Sequence, residues 1–346
     1  MVRQAAGSRW RRTWARALRT LVAVLAMLLA ALAAAGAWWL QRPLPLAAET
    51  VELSIEAGTS PREIAQSWVA AGVQTHPRLL YEWFRWSGQA RRIRAGSYAL
   101  QPGITPHQLL TKMVQGDETL ETVRLIEGWT LRQWRAELAR APQLRPVSAR
   151  MSEAELMAAI GAQGIPGEGR FFPDTYAYSH GVSDLLVFKR AYRAMQAKLA
   201  SAWTERAPDT PLTTPDQALI LASIIEKETG QATDRALVAG VFTNRLRIGM
   251  PLQTDPAVIY GLGDAFDGSL HKRDLQADSP FNTYVRSGLP PTPISMPGLA
   301  SLRAALRPEP TRALYFVARG DGTSTFSESL ADHNRAVNQY QRNPPR

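Results

Sequence analysis

Between Thr20 and Gln41 the chain carries no charge, and Leu21–Leu40 is long enough to cross a bilayer as a helix of about 20 residues. Past this run the pattern breaks into short periodic segments. Gln41–Ala48, with Pro43 and Pro45, reads as a stiff linker. Val51, Leu53 and Ile55 alternate with Glu52 and Ser54, which predicts a strand over Glu49–Ile55. Ser60 and Glu63 form an S-x-x-E capping box with Pro61 at the first helical position, so a helix runs to about Ala71. His76–Trp86 predicts a second helix, with Leu79, Leu80, Trp83 and Phe84 on one side. Gly96–Leu100 returns as a strand, and Thr105–Gln115 adds a helix opened by Thr105-Pro106.

The β-α-α-β order over residues 49–100 resembles the LysM fold, a small module that often binds glycan. IEAGTSPREIAQSW at 55–68 is echoed by IEGWTLRQWRAELA at 126–139, which marks a second domain starting near Glu121. Ser152–Gly161 reads as a helix, 167–178 as a Gly- and aromatic-rich strand and turn, Asp184–Arg206 as a long amphipathic helix and Asp234–Ile248 as another. Residues 249–298 are rich in Gly and Pro and predict a long loop, a feature usually tied to function. LYFVA (314–318) and STFSE (324–328) predict a hairpin around Gly320-Asp321-Gly322, and Ala331–Tyr340 a last helix. The expected fold class is α+β: a tail (1–20), a transmembrane helix (21–40), a linker (41–48), a LysM-like subdomain (49–120) and a larger mixed domain (121–346).

One helix differs from the rest. In TPDQALILASIIEKETG (214–230), Thr214, Pro215 and Gln217 write a helix start, and Gly230 offers a stop. Between them the helix is apolar almost all the way round, which predicts burial. Asp216, Ser223 and Lys227 share a narrow polar stripe, whereas Glu226 falls between Leu219 and Ala222 on a dry side. A carboxylate there requires a paired cation or a raised pKa, and a raised pKa is what a general acid at neutral pH needs. Glu228 points roughly 160° away from Glu226, so the two cannot share one substrate oxygen, and Glu228 reads as structural support.

The net charge of +10 changes the reading of the apolar run. Six arginines and no acid precede residue 21, which leaves +4 for the remainder, too mild to argue for nucleic acid. Arginines before the span and some 300 residues after it place the N-terminus in the cytoplasm and the bulk outside, with Trp38 and Trp39 at the interface. Ala35-Gly36-Ala37 also offers a signal-peptidase-like site, but the length of the run and its two tryptophans favour an anchor. Export removes ATP- and NAD-dependent chemistry from consideration. Cysteine is absent, the five histidines have no metal-ligand spacing, and there is no G-x-S-x-G or phosphate-binding loop, so no metal or cofactor is expected. Carboxylates remain: Glu226, Glu228, Asp174 in the FFPDTY turn, and Asp255, which opens a turn or caps a short helix.

LASIIEKETG (221–230), VAGVFTNRLRIGMPLQTDPAVIYGLG (238–263), FNTYVRSGLPPTPISMPGLASLRAAL (281–306), LYFVARGDGTSTFSESLADHN (314–334) and EGRFFPDTY (168–176) together resemble the YceG-like endolytic murein transglycosylases. The sequence departs from the family pattern at Arg170, where an aromatic or aliphatic residue is common. The resemblance implies an inner-membrane, single-pass protein with a periplasmic catalytic domain that cleaves the MurNAc–GlcNAc β-1,4 bond of nascent peptidoglycan without water. It implies Glu226 as the catalytic acid and then base. By motif position it implies Gln253, Asp255 and Asn282 as hydrogen-bonding partners of sugar, and Tyr176, Tyr260 and Tyr284 as stacking platforms, with core packing the competing role for each tyrosine. Penicillin-binding synthases are the implied protein partners. Two other readings stay open: a hydrolytic muramidase with Asp255 as second carboxylate, and a non-catalytic peptidoglycan-binding scaffold.

Overall fold

In a computed structural model, residues 6–56 and 58–342 are described. Arg3, in the basic tail, and the last four residues lie outside them. The chain divides into two compact units, one running to Leu120 with residues 179–181 and one comprising Glu121–Tyr178 with Val182 onward. The first helix, α1 (Ala6–Gln41), contains a 23-residue apolar stretch, Arg19–Gln41, with mean hydropathy 2.4 and none of its most apolar window buried. An uncovered helix of that length and composition fits a membrane span.

The first unit continues with β1 (Val51–Ile55), α2 (Pro61–Ala71), α3 (Pro77–Trp86), β2 (Gly96–Leu100) and α4 (Pro106–Gln115). The strands pair antiparallel, with Val51 opposite Leu100 and Ile55 opposite Gly96. The expected capping box forms at Ser60/Glu63, and a second forms at Thr105/Gln108. Trp68, Leu80, Phe84, Leu100, Leu109 and Met113 are fully buried together, each worth about 1.5–3 kcal/mol of transfer free energy. On α3 only Leu80 and Phe84 are buried. Leu79, expected beside them, is 51% exposed, and Trp83 is half-buried with its Nε1 donating to the Pro106 carbonyl at 3.1 Å. The helix is one residue shorter than predicted because His76 serves as its cap, its Nδ1 accepting from Arg78 N–H at 3.2 Å.

The second unit contains β3 (Leu120–Arg124), α5 (Leu131–Arg140), α6 (Glu153–Ala159), β4 (Thr175–Ser179), α7 (Asp184–Thr204), α8 (Pro215–Glu228), α9 (Arg235–Arg247), α10 (Asp255–Leu262), α11 (Lys272–Gln276), α12 (Leu299–Leu306), β5 (Tyr315–Ala318), β6 (Ser324–Ser327) and α13 (Leu330–Val337). β3 pairs with β4, and β5 with β6 as the expected hairpin. Helix α8 is the hub: every residue from Ala218 to Ile225 is buried, and α7, α9, α10 and α12 all pack on it. A second cluster gathers Trp134, Phe171, Tyr178 and Phe188, with Phe171 and Phe188 edge to face at 5.0 Å.

Two local expectations are corrected, and one helix is added. Residues 249–298 are not one loop, since α10 and the short α11 lie within them; the TDP start of α10 outweighs the Gly and Pro content around it. Helix α12 falls inside the FNTYVRSGLPP…AAL motif and buries Leu302, Ala305 and Leu306. Gly230 does not adopt a left-handed stop: α8 ends at Thr229 in extended conformation, whose hydroxyl donates to the Ile225 carbonyl at 2.7 Å.

Helix α9 approaches its neighbours through Gly240. A Cβ there would stand 2.7 Å from the Glu309 carbonyl oxygen and 2.7 Å from Thr311 Cγ2. Glycine to alanine inside a helix normally stabilises by up to about 1 kcal/mol. Here the sign reverses, and Gly240→Ala should destabilise by about 1–3 kcal/mol of overpacking in denaturant titration.

Candidate active site

The last turn of α8 carries Glu226 and Glu228 into two different surroundings. Glu226 has 8% of its side chain exposed. Its Oε2 accepts the Gly298 N–H at 2.9 Å, and its Oε1 lies 3.9 Å from Arg235 Nη2. A cation is therefore what compensates the dry position, and it comes from the first residue of α9. Glu127 completes this cluster: a Cβ on Gly298 would run into its carboxyl, and burial and the Glu226 charge push the Glu127 pKa up, against the pull of Arg235. Glycine at 298 thus makes room for a carboxyl and leaves a backbone donor open to another.

Glu228 faces the opposite way, into a groove of about 540 Å³ that it shares with Arg245, Gln253, Asp255 and Tyr284. The Thr254 hydroxyl donates to Glu228 Oε1 at 2.6 Å, and the Tyr284 hydroxyl donates to Asp255 Oδ1 at 2.5 Å. Burial pushes the Glu228 pKa up to about 6, reinforced by the Asp255 charge and opposed by the Thr254 hydrogen bond and the Arg245 cation. The groove's floor is fixed by Arg245, which is buried. Its Nε donates to the Leu314 carbonyl at 2.7 Å, and its Nη1 to the Leu252 and Pro251 carbonyls at 2.8 and 3.2 Å and to Gln253 Oε1 at 3.2 Å. Gln253 holds φ at +51°, a left-handed value that costs a non-glycine residue about 1 kcal/mol or more. The Arg245 contacts and the Gln253 N–H bond to the Thr283 carbonyl at 2.9 Å keep it there.

Of the residues expected to hold sugar, the structure brings Gln253, Asp255 and Tyr284 together with Glu228. Tyr260 lies elsewhere, in a cleft of about 970 Å³, edge to face with Phe281 at 5.0 Å and donating to Glu168 Oε2 at 3.3 Å. Asn282 is 1% exposed, and its amide is consumed by backbone: Nδ2 donates to the carbonyls of Ala277, Asp274 and Leu275 at 2.7, 3.0 and 3.2 Å, and Oδ1 accepts from Tyr284 N–H at 3.0 Å. Its role here is to shape the 274–284 turn that presents Tyr284. Tyr176 is buried in the Trp134 cluster with its hydroxyl donating to the Phe172 carbonyl at 2.6 Å, so packing is the role it takes.

Sequence reasoning passed over Arg245, Thr254 and Glu168. Arg245 stands among apolar neighbours in VFTNRLR, the same out-of-place charge that drew attention to Glu226. Glu168 is buried; both its oxygens take the Leu131 N–H, at 3.1 Å each, and burial raises its pKa to about 7. At Arg170, the departure from the family pattern, a 2.7 Å ion pair forms with Asp216, away from the groove.

Known proteins match this arrangement along nearly its whole length. The YceG-like family model matches residues 53–339. An endolytic murein transglycosylase of Bacillus subtilis is 30% identical over 308 residues, covering 84% of this chain and 85% of its own length. One of Streptococcus pneumoniae is 26% identical, over 84% of this chain and 58% of its own. The crystal structure of a YceG-like protein from Listeria monocytogenes superposes with a TM-score of 0.54 at 31% identity, covering 83% of this chain and 99% of that one. A family match across both compact units, with the α8 helix and the Gln253–Asp255–Tyr284 groove inside it, places this chain in the YceG-like family.

Proposed function

We propose that the chain is a membrane-anchored lytic transglycosylase that cuts peptidoglycan strands internally, with Glu228 as its acid and base. The observation that carries this is the place of Glu228 in a groove beside Gln253, Asp255 and Tyr284 of the family motifs, where burial pushes its pKa up to about 6. The resemblance pointed to Glu226, whose oxygens are already engaged by Gly298 N–H and Arg235. Protonated Glu228 gives its proton to the glycosidic oxygen as the bond from muramic C1 breaks. Positive charge develops at C1, where the Asp255 carboxylate and the substrate's own N-acetyl group can stabilise it. The Glu228 carboxylate then takes the proton of the muramic C6 hydroxyl as that oxygen closes onto C1. The products are a 1,6-anhydromuramic end and a free GlcNAc 4-hydroxyl, no water is consumed, and Glu228 is protonated again. One group must be acid and then base, so a near-neutral pKa serves both halves.

Asp255 keeps the hydrolytic reading in view, because its carboxylate shares the groove with Glu228. Mass spectrometry of strands digested by the purified protein separates the two, since a hydrolysed end is heavier than an anhydro end by one water. Anhydro ends are expected; hydrated ends would make the protein a muramidase, and binding without new ends a scaffold. Thr254→Val tests the acid. Removing the hydroxyl that stabilises the carboxylate should raise the Glu228 pKa further, moving the alkaline limb of the activity profile up by about one pH unit. The arginines ahead of the apolar run Leu21–Leu40 favour a domain that faces outward, into the periplasm, and the synthases that extend glycan strands are the fitting partners.

A further inference from the structure

The 970 Å³ cleft that holds Tyr260 is larger than the Glu228 groove and is not used by the chemistry above. Residues consecutive in the chain line the two at two points. Lys227 lines the cleft and Glu228 the groove, and Pro256 lines the cleft and Asp255 the groove. A polymer cut internally extends to both sides of the acid, so what lies in the cleft is the part of the substrate next to the scissile bond. The cleft's charges are unevenly committed. Arg132 pairs with Asp264. Glu153 accepts the Gly167 N–H at 2.6 Å, and Glu168 is held by Leu131 N–H and the Tyr260 hydroxyl. Arg135 donates to the Ser148 and Met151 carbonyls and has no carboxylate partner among the described residues. Lys227 has neither hydrogen bond nor ion pair among the described residues, and its ammonium is the group left for a ligand. Both acids already accept hydrogen bonds from within the fold, and the charge left without a partner is cationic, so the ligand is anionic.

Glycan sugars are neutral, whereas the peptide stems attached to muramic residues carry carboxylates. Resting on the transglycosylase reading, we propose that this cleft receives the peptide stem beside the scissile bond and that Lys227 binds a stem carboxylate. The volume suits such a ligand, being at the upper end for sites that enclose a small molecule.

The test compares strands bearing free-acid stems with the same strands after their stem carboxylates are converted to amides, which preserves length and removes charge. The full-length protein in detergent should cleave the free-acid strands with about tenfold higher kcat/KM, the effect of one charge-assisted bond worth about 1.4 kcal/mol. Lys227→Gln should bring that ratio close to one, and Lys227→Arg should preserve it. A wild-type ratio of one, or a Lys227→Gln variant that keeps the tenfold ratio, overturns the stem site and leaves the transglycosylase reading standing. Absence of anhydro ends from both kinds of strand overturns that reading and the stem site with it.

Discussion

Glu228→Gln should lower the release of anhydro-ended muropeptides by about 10²–10⁴-fold, the usual worth of a positioned acid and base. Glutamine keeps the shape and can still accept the Thr254 hydroxyl, so the groove should survive. Stability supplies a control. The folded-state pKa of Glu228 is raised to about 6 from an ordinary 4.5. Folded protein therefore binds the proton more tightly than unfolded chain, and the stabilisation is complete below pH 4.5 and lost as pH rises through 6. At pH 7 the wild type has lost it, and the glutamine variant, which never ionises, should be more stable by about 1–2 kcal/mol. An inactive protein that melts higher than wild type at pH 7 identifies the group as functional. Glu226→Gln should behave otherwise. Its oxygen still accepts the Gly298 N–H, and loss of its charge relieves Glu127 but strands Arg235, so activity should stay within about tenfold of wild type. Loss of product in Glu226→Gln with full activity in Glu228→Gln would exchange the two roles.

The two glutamates also mark how far the sequence could be read. Helix phase alone separates them and predicts a buried α8, and the burial of Ala218–Ile225 agrees. What phase cannot supply is the partner arriving from elsewhere. Glu226 looked costly because the position was dry, yet Arg235 and Gly298 N–H come to it from α9 and the start of α12, nine and 72 residues along the chain. Glu228 looked like support because its groove is built by Gln253, Asp255 and Tyr284, which only tertiary folding brings near. Asn282 shows the same limit in reverse: a polar residue in a Gly/Pro-rich motif reads as a ligand, and its amide is spent on three carbonyls of its own turn. The Ser60/Glu63 capping box, the Gly320–Gly322 hairpin and the β-α-α-β order were legible because their causes lie within a few residues, whereas at Thr214/Gln217 only half of the box forms, the Gln217 side chain accepting from Thr213 instead. Helix α12 was hidden because it follows directly on a proline-rich run that reads as loop.

Arg245 ties the backbone around the groove together. Its guanidinium is buried and organises three carbonyls and the Gln253 amide, and burial pulls its pKa down because the charge is held out of water. Arg245→Met keeps much of the volume and removes every donor. The carbonyls of Pro251, Leu252 and Leu314 then lack the donors that paired them, and Gln253 loses one of the contacts that hold its left-handed backbone. Together these should cost about 3–5 kcal/mol and lower the melting temperature of the second unit by roughly 10 °C. Losing the cation also removes the charge that restrains the Glu228 pKa, so the alkaline limb of residual activity should move upward, as is expected for Thr254→Val. Arg245→Lys separates the two consequences. Lysine keeps the charge near Glu228 but cannot span carbonyls on both sides. It should melt nearly as low as the methionine variant while the pH profile stays close to wild type. A lysine variant with wild-type melting would mean that the charge, and not the set of hydrogen bonds, holds the groove together.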